Sequence, residues 1–182
     1  MTIKDYQNQS KRSMKRSSSR NLDTLHMIIG MFSEYNEVQA AIEKNDLVNM
    51  QEEIIDVMWY LSNYCTLNKI DLNIAYNDVK KQNVIILSTN HINKLFCHNM
   101  SLLQDYHKKC IFYKKPSNHI IIYELVLKIL SNLLSYINCY NLDLEKGLEN
   151  NINKLKVRYP SKFKNSNALS RNIEKELEEL KK

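Results

Sequence analysis

The chain has 182 residues, with 26 Lys and Arg against 20 Asp and Glu and a formal net charge of +6. This length suits one domain with a sizeable core, and only two Gly and two Pro are present. So few turn-forming residues exclude a β-sandwich and a phosphate-binding Gly-rich loop. The composition therefore predicts an all-α protein, a helical bundle formed by a single domain over residues 1–182.

Hydrophobic periodicity and capping residues divide the chain into helices. Asp46 and Asp71 are suitable N-caps. A short helix or arm is expected at residues 2–14, and residues 84–90 form a weak segment with no clear periodicity. The other helices are expected at about residues 22–44, 47–67, 72–83, 92–113, 118–140, 143–158 and 170–182.

Positive charge is concentrated at the two ends of the chain. Residues 1–20 carry six Lys and Arg against Asp5, and residues 154–182 carry nine against four Glu, so the middle is acidic. Basic ends can hold nucleotide phosphates, bind nucleic acid without sequence preference, or keep a protein in solution. The last is the default interpretation, and nucleic acid is not an expected partner. The Arg- and Ser-rich start also has the composition of an organelle transit peptide.

The cysteines and the longest apolar segment indicate the cellular compartment in which the protein is expected. No cysteine pair has CxxC spacing, and the neighbours are apolar, which predicts buried free thiols in a reducing compartment, the cytoplasm. These residues are Cys65, Cys97, Cys110 and Cys139. Glu124 and Lys128 interrupt the best apolar run, residues 120–134, so no membrane partner is expected.

Two pairs of acidic residues stand three positions apart, Glu34 with Glu37 and Glu53 with Asp56. Each pair shares one helix face, so the helical pair at residues 22–72 can direct four carboxylates toward one another. Like charges held close together raise each other's pKa unless a cation lies between them. An all-oxygen ligand set suits Mg²⁺, with Mn²⁺ as the alternative. The spacing alone fits two solvent-exposed acidic helix faces equally well.

Four segments in a fixed order point to one family. They are DYQNQSKRS at residues 5–13, a G-x-x-x-E-x-x-E pattern at 30–37, an E-x-x-D-V-x-W-Y-L pattern at 53–61, and NINKLKVRYPSKF at 151–163. This combination resembles the MazG-like, all-α nucleoside triphosphate pyrophosphohydrolases, especially their small phage-type members. The two acidic motifs alone are weak evidence, whereas the four segments in this order are a specific signal.

The resemblance implies a hydrolase acting on acid anhydrides, which converts a (deoxy)nucleoside triphosphate to the monophosphate and pyrophosphate. The metal ligands and catalytic residues that it implies are Glu34, Glu37, Glu53 and Asp56. The substrate-binding residues that it implies, on a tail at residues 145–163 that closes over the nucleotide, are Asn151, Lys154, Arg158 and Tyr159. Lys154 is expected to contact a phosphate. For Arg158 and Tyr159, a charged helix end capped by Tyr-Pro is an equally good interpretation, and the base and sugar stay unspecified.

The middle of the chain, residues 92–144, is a suspected degenerate copy of the first helical pair. A shift of 72 positions without gaps lays residues 52–72 on 124–144 and gives five identities. They are Glu52 with Glu124, Leu61 with Leu133, Tyr64 with Tyr136, Asp71 with Asp143, and Leu72 with Leu144. The alternative is that any two amphipathic helices ending in a capped turn match this well.

Three of the four acidic site positions have changed in the suspected copy, while a shift of 71 pairs the fourth, Glu34, with Asp105. Glu53 corresponds to Leu125 and Asp56 to Lys128, while a shift of 71 pairs Glu37 with Lys108. Members of the resembled family build each site from helical pairs of two subunits. Here the second half can take the place of the partner, which predicts an intrachain pseudo-dimer with one working site and a separate C-terminal helix at 164–182. A homodimer of the whole chain stays open.

The sequence also bears on three other classes of protein: two metal-dependent classes and a non-catalytic binding module. A di-iron carboxylate bundle requires Glu-x-x-His, and an HD-type phosphohydrolase requires adjacent His and Asp; neither pattern occurs in this sequence. A non-catalytic nucleotide- or nucleic-acid-binding helical module stays open because of the basic ends and the altered copy. The four carboxylates count against it, since a protein that only binds polyanions gains nothing from an acidic cluster.

Overall fold

The computed structural model describes residues 1–82, 88–170 and 172–180, and within these it contains nine α-helices, one 3-10 turn at Lys11–Ser13 and no strand. The helices are α1 Ile3–Ser10, α2 Arg20–Glu43, α3 Leu47–Leu67, α4 Leu72–Lys81, α5 Thr89–Phe112, α6 His119–Cys139, α7 Leu144–Arg158, α8 Asn165–Leu169 and α9 Ile173–Leu180. The predicted all-α fold class is therefore confirmed.

The helix boundaries are set by side-chain caps that satisfy the first free backbone N–H groups. Asp46 accepts a hydrogen bond from the Asn49 N–H, and Asp71 accepts from Asn73 and Ile74, as predicted. Asp143, at the position 72 residues after Asp71, caps α7 in the same way. These caps fix where α3, α4 and α7 begin and so determine which residues face the core.

Two helical pairs form the body of the molecule. α2 packs along α3, and α5 packs along α6, each pair running antiparallel because its connection is short. α7 packs on α3 and α4 packs on α6, while α1 lies against α3, α4 and α7. The core between the pairs is formed by fully buried side chains that include Met31, Tyr35, Ile54, Met58, Leu61, Phe96, Leu130 and Leu133.

Hydrogen bonds between the two pairs are reciprocal. The Tyr64 hydroxyl on α3 contacts Nε2 of His107 on α5 at 2.6 Å, and the Tyr136 hydroxyl on α6 contacts the Tyr35 hydroxyl on α2 at 2.8 Å. A shift of 72 positions maps Tyr64 to Tyr136, so the two corresponding tyrosines of α3 and α6 each reach the first helix of the other pair. Contacts repeated in this way are what a two-fold relation between halves requires. They support the interpretation of 92–144 as a copy of the first half.

Lengths and turns of the two halves agree as well. α2 and α5 each have 24 residues, and α3 and α6 each have 21. Lys69 after α3 and Asn141 after α6 both adopt a left-handed conformation, with φ of 58° and 50°. The same backbone hydrogen bond closes both turns, from Ile70 N–H to the Cys65 carbonyl and from Leu142 N–H to the Ile137 carbonyl.

Several sequence expectations differ from the structure at the element ends. The C-terminal segment, expected to be one helix, contains two, because α8 forms within what was expected to be a loop. α5 begins at Thr89 rather than at residue 92, since Ser88 accepts a hydrogen bond from the His91 N–H and caps it. Residues 83–87, which hold the expected end of α4 and most of the weak segment, lie outside the described residues.

The cysteines and α6 complete the description. Cys65 is buried as expected, but Cys97 and Cys139 are exposed, so the expectation of buried thiols is wrong for these two. By length and composition alone α6 passes for a membrane span, but most of it is buried inside the protein, as expected of a core helix.

Candidate metal centre and nucleotide pocket

The carboxylates of three residues converge between α2 and α3. One carboxylate oxygen from each of Glu34, Glu37 and Glu53 lies within 4.8 Å of the others. The i, i+3 spacing on α2 puts the first two on one face, and the antiparallel packing of α3 brings Glu53 opposite them. Glu37 is exposed, Glu34 is half-buried, and Glu53 is only 7% exposed. We call these three residues the acidic cluster.

Burial and mutual repulsion perturb the acidic cluster. Burial, followed by the charges of Asp56 and Glu37, raises the pKa of Glu34 to about 7. Burial and the surrounding acidic residues, Asp56 first among them, raise the pKa of Glu53 to about 9. Carboxylates with raised pKa values gain most from a cation that balances their charge. Three convergent carboxylate oxygens are a donor set that fits a hard divalent cation such as Mg²⁺.

Asp56, the fourth predicted ligand, lies close enough to raise the pKa of both Glu34 and Glu53 but has other partners. Its Oδ2 contacts Nζ of Lys154 at 2.6 Å, and its Oδ1 accepts a hydrogen bond from the Asn151 amide. Lys154 also contacts Glu52 at 3.0 Å, so Glu52, which has no evident partner in the sequence, forms an ion pair. The structure thus groups Asp56 with Asn151 and Lys154 from the tail.

Lys154 is one of the most deeply buried charges in the described protein, with 2% of its side chain exposed. Burial lowers the pKa of its ammonium group, but the charges of Asp56 and Glu52 outweigh burial and raise the pKa above its ordinary value. The side chain is therefore protonated and is enclosed by two carboxylates. Both carboxylates contact the Lys154 ammonium, and its expected contact with a phosphate stays a prediction.

The N-terminal segment orients this group. The hydroxyl of Tyr6, a fully buried residue of α1, donates to Oδ1 of Asn151 at 3.0 Å, which turns the amide nitrogen toward Asp56. Nη1 of Arg12 donates to the carbonyl oxygens of Tyr159 and Ser161 at 2.6 and 2.9 Å. These bonds join the opening segment of the sequence to its late RYP segment, so the two ends of the chain meet at the site.

A pocket of about 230 Å³ adjoins the acidic cluster. Glu34 and Asp56 form one part of its wall, and Lys15 and Arg158 contribute positive charge. Its aromatic lining consists of His26, Trp59, Tyr60, Tyr159 and Phe163. Acidic, cationic and aromatic groups around one space match the needs of a cation, phosphates and a base. We call it the nucleotide pocket.

Several lining residues of the nucleotide pocket were not expected as site residues from the sequence, Lys15 and Phe163 among them. Lys15 and Phe163 line it, and the Lys15 ammonium lies 6.0 Å from the centre of the Phe163 ring. Phe163 stands at the end of the quoted RYPSKF segment, and Lys15 follows the basic opening segment. Their positions beside the recognised motifs could have marked both residues as candidates. Their contact with each other, however, depends on the packing of the two chain ends.

Arg158 is fixed by the C-terminal helix. Its guanidinium forms two hydrogen bonds with the carboxylate of Glu176 on α9, and Glu176 is 2% exposed. Paired donors of this kind set the orientation of the guanidinium plane. α9 packs on α7 and thereby determines where Arg158 meets the pocket. The sequence gave no signal for this pairing, because Glu176 is one of several acidic residues on an amphipathic helix.

Gly30 lets α3 approach α2 at the pocket. A Cβ atom at this position would lie 2.0 to 2.4 Å from three atoms of the Tyr60 ring, far inside van der Waals contact. The ring of Tyr60 also stands edge-on to His26, with centroids 5.9 Å apart. The missing side chain therefore positions one aromatic wall of the nucleotide pocket.

A larger cavity of about 510 Å³ lies between α3 and α7. Glu52, Asn151 and Leu180 are in its wall, but none of the acidic cluster and neither Arg158 nor an aromatic side chain lines it. Its chemistry suits a nucleotide less well than that of the smaller pocket. The acidic cluster therefore identifies the smaller pocket as the candidate substrate site.

Residues 23–89 match the family of the MazG nucleotide pyrophosphohydrolase domain. Searches of curated proteins and of solved structures gave no significant match. The matched segment spans α2, α3 and α4 and contains Glu34, Glu37, Glu53 and Asp56. The tail residues on and after α7 lie outside it, so their interpretation rests on the contacts described above.

Proposed function

We propose that the protein hydrolyses a (deoxy)nucleoside triphosphate to the monophosphate and pyrophosphate with a divalent cation, since residues 23–89 match the family of the MazG nucleotide pyrophosphohydrolase domain. The observation that carries the proposal is the convergence of Glu34, Glu37 and Glu53 within 4.8 Å, beside a pocket lined by aromatic and cationic side chains. An acidic cluster of this kind would repel a triphosphate unless a cation separated them.

The acidic cluster is the proposed cation site, with Mg²⁺ as the expected ion and Mn²⁺ as the alternative, and Asp56 is the fourth candidate ligand. When bound, such an ion neutralises phosphate charge and lowers the pKa of water. Hydrolysis adds one water across the anhydride link between the α and β phosphates, and a proton must be accepted. Glu34 belongs both to the cluster and to the pocket wall, so it is the best-placed acceptor.

The proposed roles of the tail residues follow from their contacts. Arg158 and Lys15 are placed in the pocket wall to bind phosphate oxygens, and Tyr159 contributes to the aromatic lining. Asn151 and Lys154 hold Asp56, so we assign them a positioning role in place of direct substrate contact. This assignment retains all four tail residues in the site but separates two that touch substrate from two that act through a carboxylate.

The test is a pyrophosphate-release screen over canonical and modified nucleotides with Mg²⁺ and with Mn²⁺. Glu53→Gln keeps the side-chain volume and removes one cluster charge, so turnover should fall by about a hundredfold or more while the protein stays folded. Glu43→Gln is the matched control, since it neutralises an exposed acidic residue on the neighbouring helix α2. Equal turnover in wild type and Glu53→Gln would contradict the proposal.

The same screen distinguishes the proposed enzyme from the alternative, a helical module that binds nucleotides or nucleic acid without catalysis. A helical module that only binds would release no pyrophosphate from any nucleotide, and it would bind single-stranded nucleic acid with a steep salt dependence through its basic ends. Its basic residues are spread over the two ends of the chain, and Arg12 and Lys154 are already engaged in contacts with the protein. We therefore favour the enzyme and do not expect nucleic acid as a partner.

Location and assembly are part of the proposal. A cytoplasmic location suits a nucleotide substrate and four free cysteines. Because the second helical pair already packs against the first, a partner subunit is not needed to build the four-helix unit. We expect a monomer to be active, and sedimentation of the active species measures whether a homodimer forms in addition.

A further inference from the structure

A second cavity, of about 420 Å³, lies between α5 and α6 at the position related to the nucleotide pocket by the 72-residue shift. Three residues of the nucleotide pocket wall, Asp56, Trp59 and Tyr60, correspond to Lys128, Ser131 and Asn132, and all three of the latter line this cavity. The fold therefore forms the same kind of space in both halves. We call the second space the counterpart cavity.

The acidic chemistry of the first pocket is replaced here by amides. Asn99 and Asn132 are 7% and 4% exposed, and Nδ2 of Asn99 donates to Oδ1 of Asn132 at 2.8 Å. Among the described residues no other hydrogen bond to these two amides is found, and neither Oδ1 of Asn99 nor Nδ2 of Asn132 is enclosed without a partner. The first can therefore accept, and the second donate, a hydrogen bond to a group in the cavity.

A hydrogen-bond acceptor and a hydrogen-bond donor on neighbouring side chains complement the edge of a nucleobase, which carries one donor and one acceptor side by side. Leu95 and Leu127 supply apolar walls for the faces of a ring. The volume lies within the range of small-molecule sites. A flat heterocycle with an amide-like edge is thus the group that this cavity suits.

Lys128 adds a positive charge at the opening. It is exposed, and it forms no ion pair with any residue in the described part of the chain. A lysine acts as a point charge toward a phosphate group. The cavity wall contains one carboxylate, that of Glu124, and no group of three, so it lacks the donor set for a divalent cation.

We infer that the counterpart cavity is a second, non-catalytic site that binds a nucleoside monophosphate without a metal ion. The amides of Asn99 and Asn132 bind the edge of the base, and Lys128 binds the phosphate. Since no acidic cluster is present, the bound nucleotide is not hydrolysed there. The inference does not depend on catalysis in the first half, because it concerns metal-free binding to α5 and α6.

The experiment is isothermal titration of the full chain in EDTA with AMP, GMP, UMP, CMP and dTMP, and with the corresponding nucleosides. Wild type should bind at least one monophosphate, and about tenfold more tightly than its nucleoside, which corresponds to one charge interaction. Lys128→Gln, an exposed substitution, should remove that tenfold difference. Ser131→Phe, which fills the cavity from its half-buried wall, should abolish binding of both ligands.

Lys44→Gln, an exposed lysine at the end of α2 that lines neither cavity, is the matched control and should leave metal-free binding unchanged. Arg158→Gln reports any binding that occurs in the nucleotide pocket instead. The inference is overturned if no monophosphate binds in EDTA, or if binding survives Ser131→Phe but is lost in Arg158→Gln. Equal affinity for nucleoside and monophosphate would overturn the role of Lys128. Pyrophosphate release by wild type without metal-free binding would leave the proposed enzyme intact and refute only the second site.

Discussion

The two helical pairs of this protein share a fold but differ in chemistry. α2 with α3 and α5 with α6 have equal lengths, equivalent turns and reciprocal Tyr contacts. Only the first pair brings three carboxylates together among the described residues, because Leu125 and Lys128 stand where the first has Glu53 and Asp56. The packing of a helical pair is therefore independent of the acids, and the chemistry depends on a few side chains placed on the scaffold.

Lys154→Met should have the largest effect on stability. The corresponding position in the other half, 72 residues earlier, is Gln82, and Gln82→Met is the control variant. Removing the ammonium leaves Asp56 and Glu52 without a counter-charge in a largely buried site. A loss of about 3 kcal/mol in the free energy of unfolding is expected, together with a large loss of turnover. Urea denaturation measures the change in the free energy of unfolding.

Gln82→Met, at an exposed helix end, is expected to change stability by less than about 0.5 kcal/mol. Equal losses in the free energy of unfolding for Lys154→Met and Gln82→Met would contradict an electrostatic difference between the two halves at this position.

Added Mg²⁺ should stabilise the protein more as the pH rises. The pKa of Glu34 is raised to about 7 and that of Glu53 to about 9 without a cation, both above the ordinary carboxyl value. Between pH 5 and 9 the folded protein thus holds more protons than the unfolded chain, so without metal its stability falls with rising pH.

A cation removes that repulsion and should stabilise by about 2.7 kcal/mol at a concentration a hundredfold above its Kd. Thermal melts at pH 5.5 and 8 with and without Mg²⁺ measure this. A Mg²⁺ effect of equal size in Glu53→Gln at pH 8 would argue against a cation at the acidic cluster.

His107 and Tyr35 are the hydrogen-bond partners of the corresponding tyrosines Tyr64 and Tyr136, and they should respond differently to acid. Burial, with a smaller effect of Arg20, lowers the pKa of His107 to about 4. In the unfolded chain this imidazole protonates near pH 6.5, so stability should fall as the pH drops from 6.5 to 4, by about 2 kcal/mol. His107→Gln removes this part of the pH dependence and leaves a flatter profile in chemical denaturation. An unchanged slope below pH 6.5 would show that His107 does not titrate as described.

Gly30→Ala should have the smallest effect, centred on substrate affinity. The added methyl must displace the Tyr60 ring, which lines the nucleotide pocket. A rise in KM by about threefold to tenfold and a stability loss of about 1 kcal/mol are expected, since a side chain rather than the backbone gives way. At the shift of 71 positions Gly30 corresponds to Ser101, which is exposed, and Ser101→Ala serves as the control in steady-state kinetics, with no change in KM expected.

The sequence predicted the helices and the acidic residues that share a helix face because both depend on local spacing. The caps at Asp46 and Asp71 fixed the ends of α3 and α4, and the i, i+3 pairs on α2 and α3 fixed which acids share a face. Those are short-range properties that periodicity records. The division of the C-terminal segment into α8 and α9 was missed, since short helices with few buried residues leave little periodic signal.

The environment of Asp56 was not predictable from spacing. Its pairing with Lys154 and Asn151 joins residues about a hundred positions apart, and only the docking of α7 on α3 brings them together. The same holds for Arg158 with Glu176 and for Tyr6 with Asn151. Such contacts between distant segments depend on tertiary packing, which residue spacing within one helix does not record.

The measurement that tests the central claim most directly is a Mn²⁺ titration followed by the electron paramagnetic resonance of the free ion, with and without a non-hydrolysable nucleoside triphosphate analogue. Wild type and Glu124→Gln, in the second half, should bind the ion equally, whereas Glu53→Gln should bind it at least about tenfold more weakly. Binding that is unaffected by Glu53→Gln, or no binding even with the analogue present, would contradict a cation site at the acidic cluster.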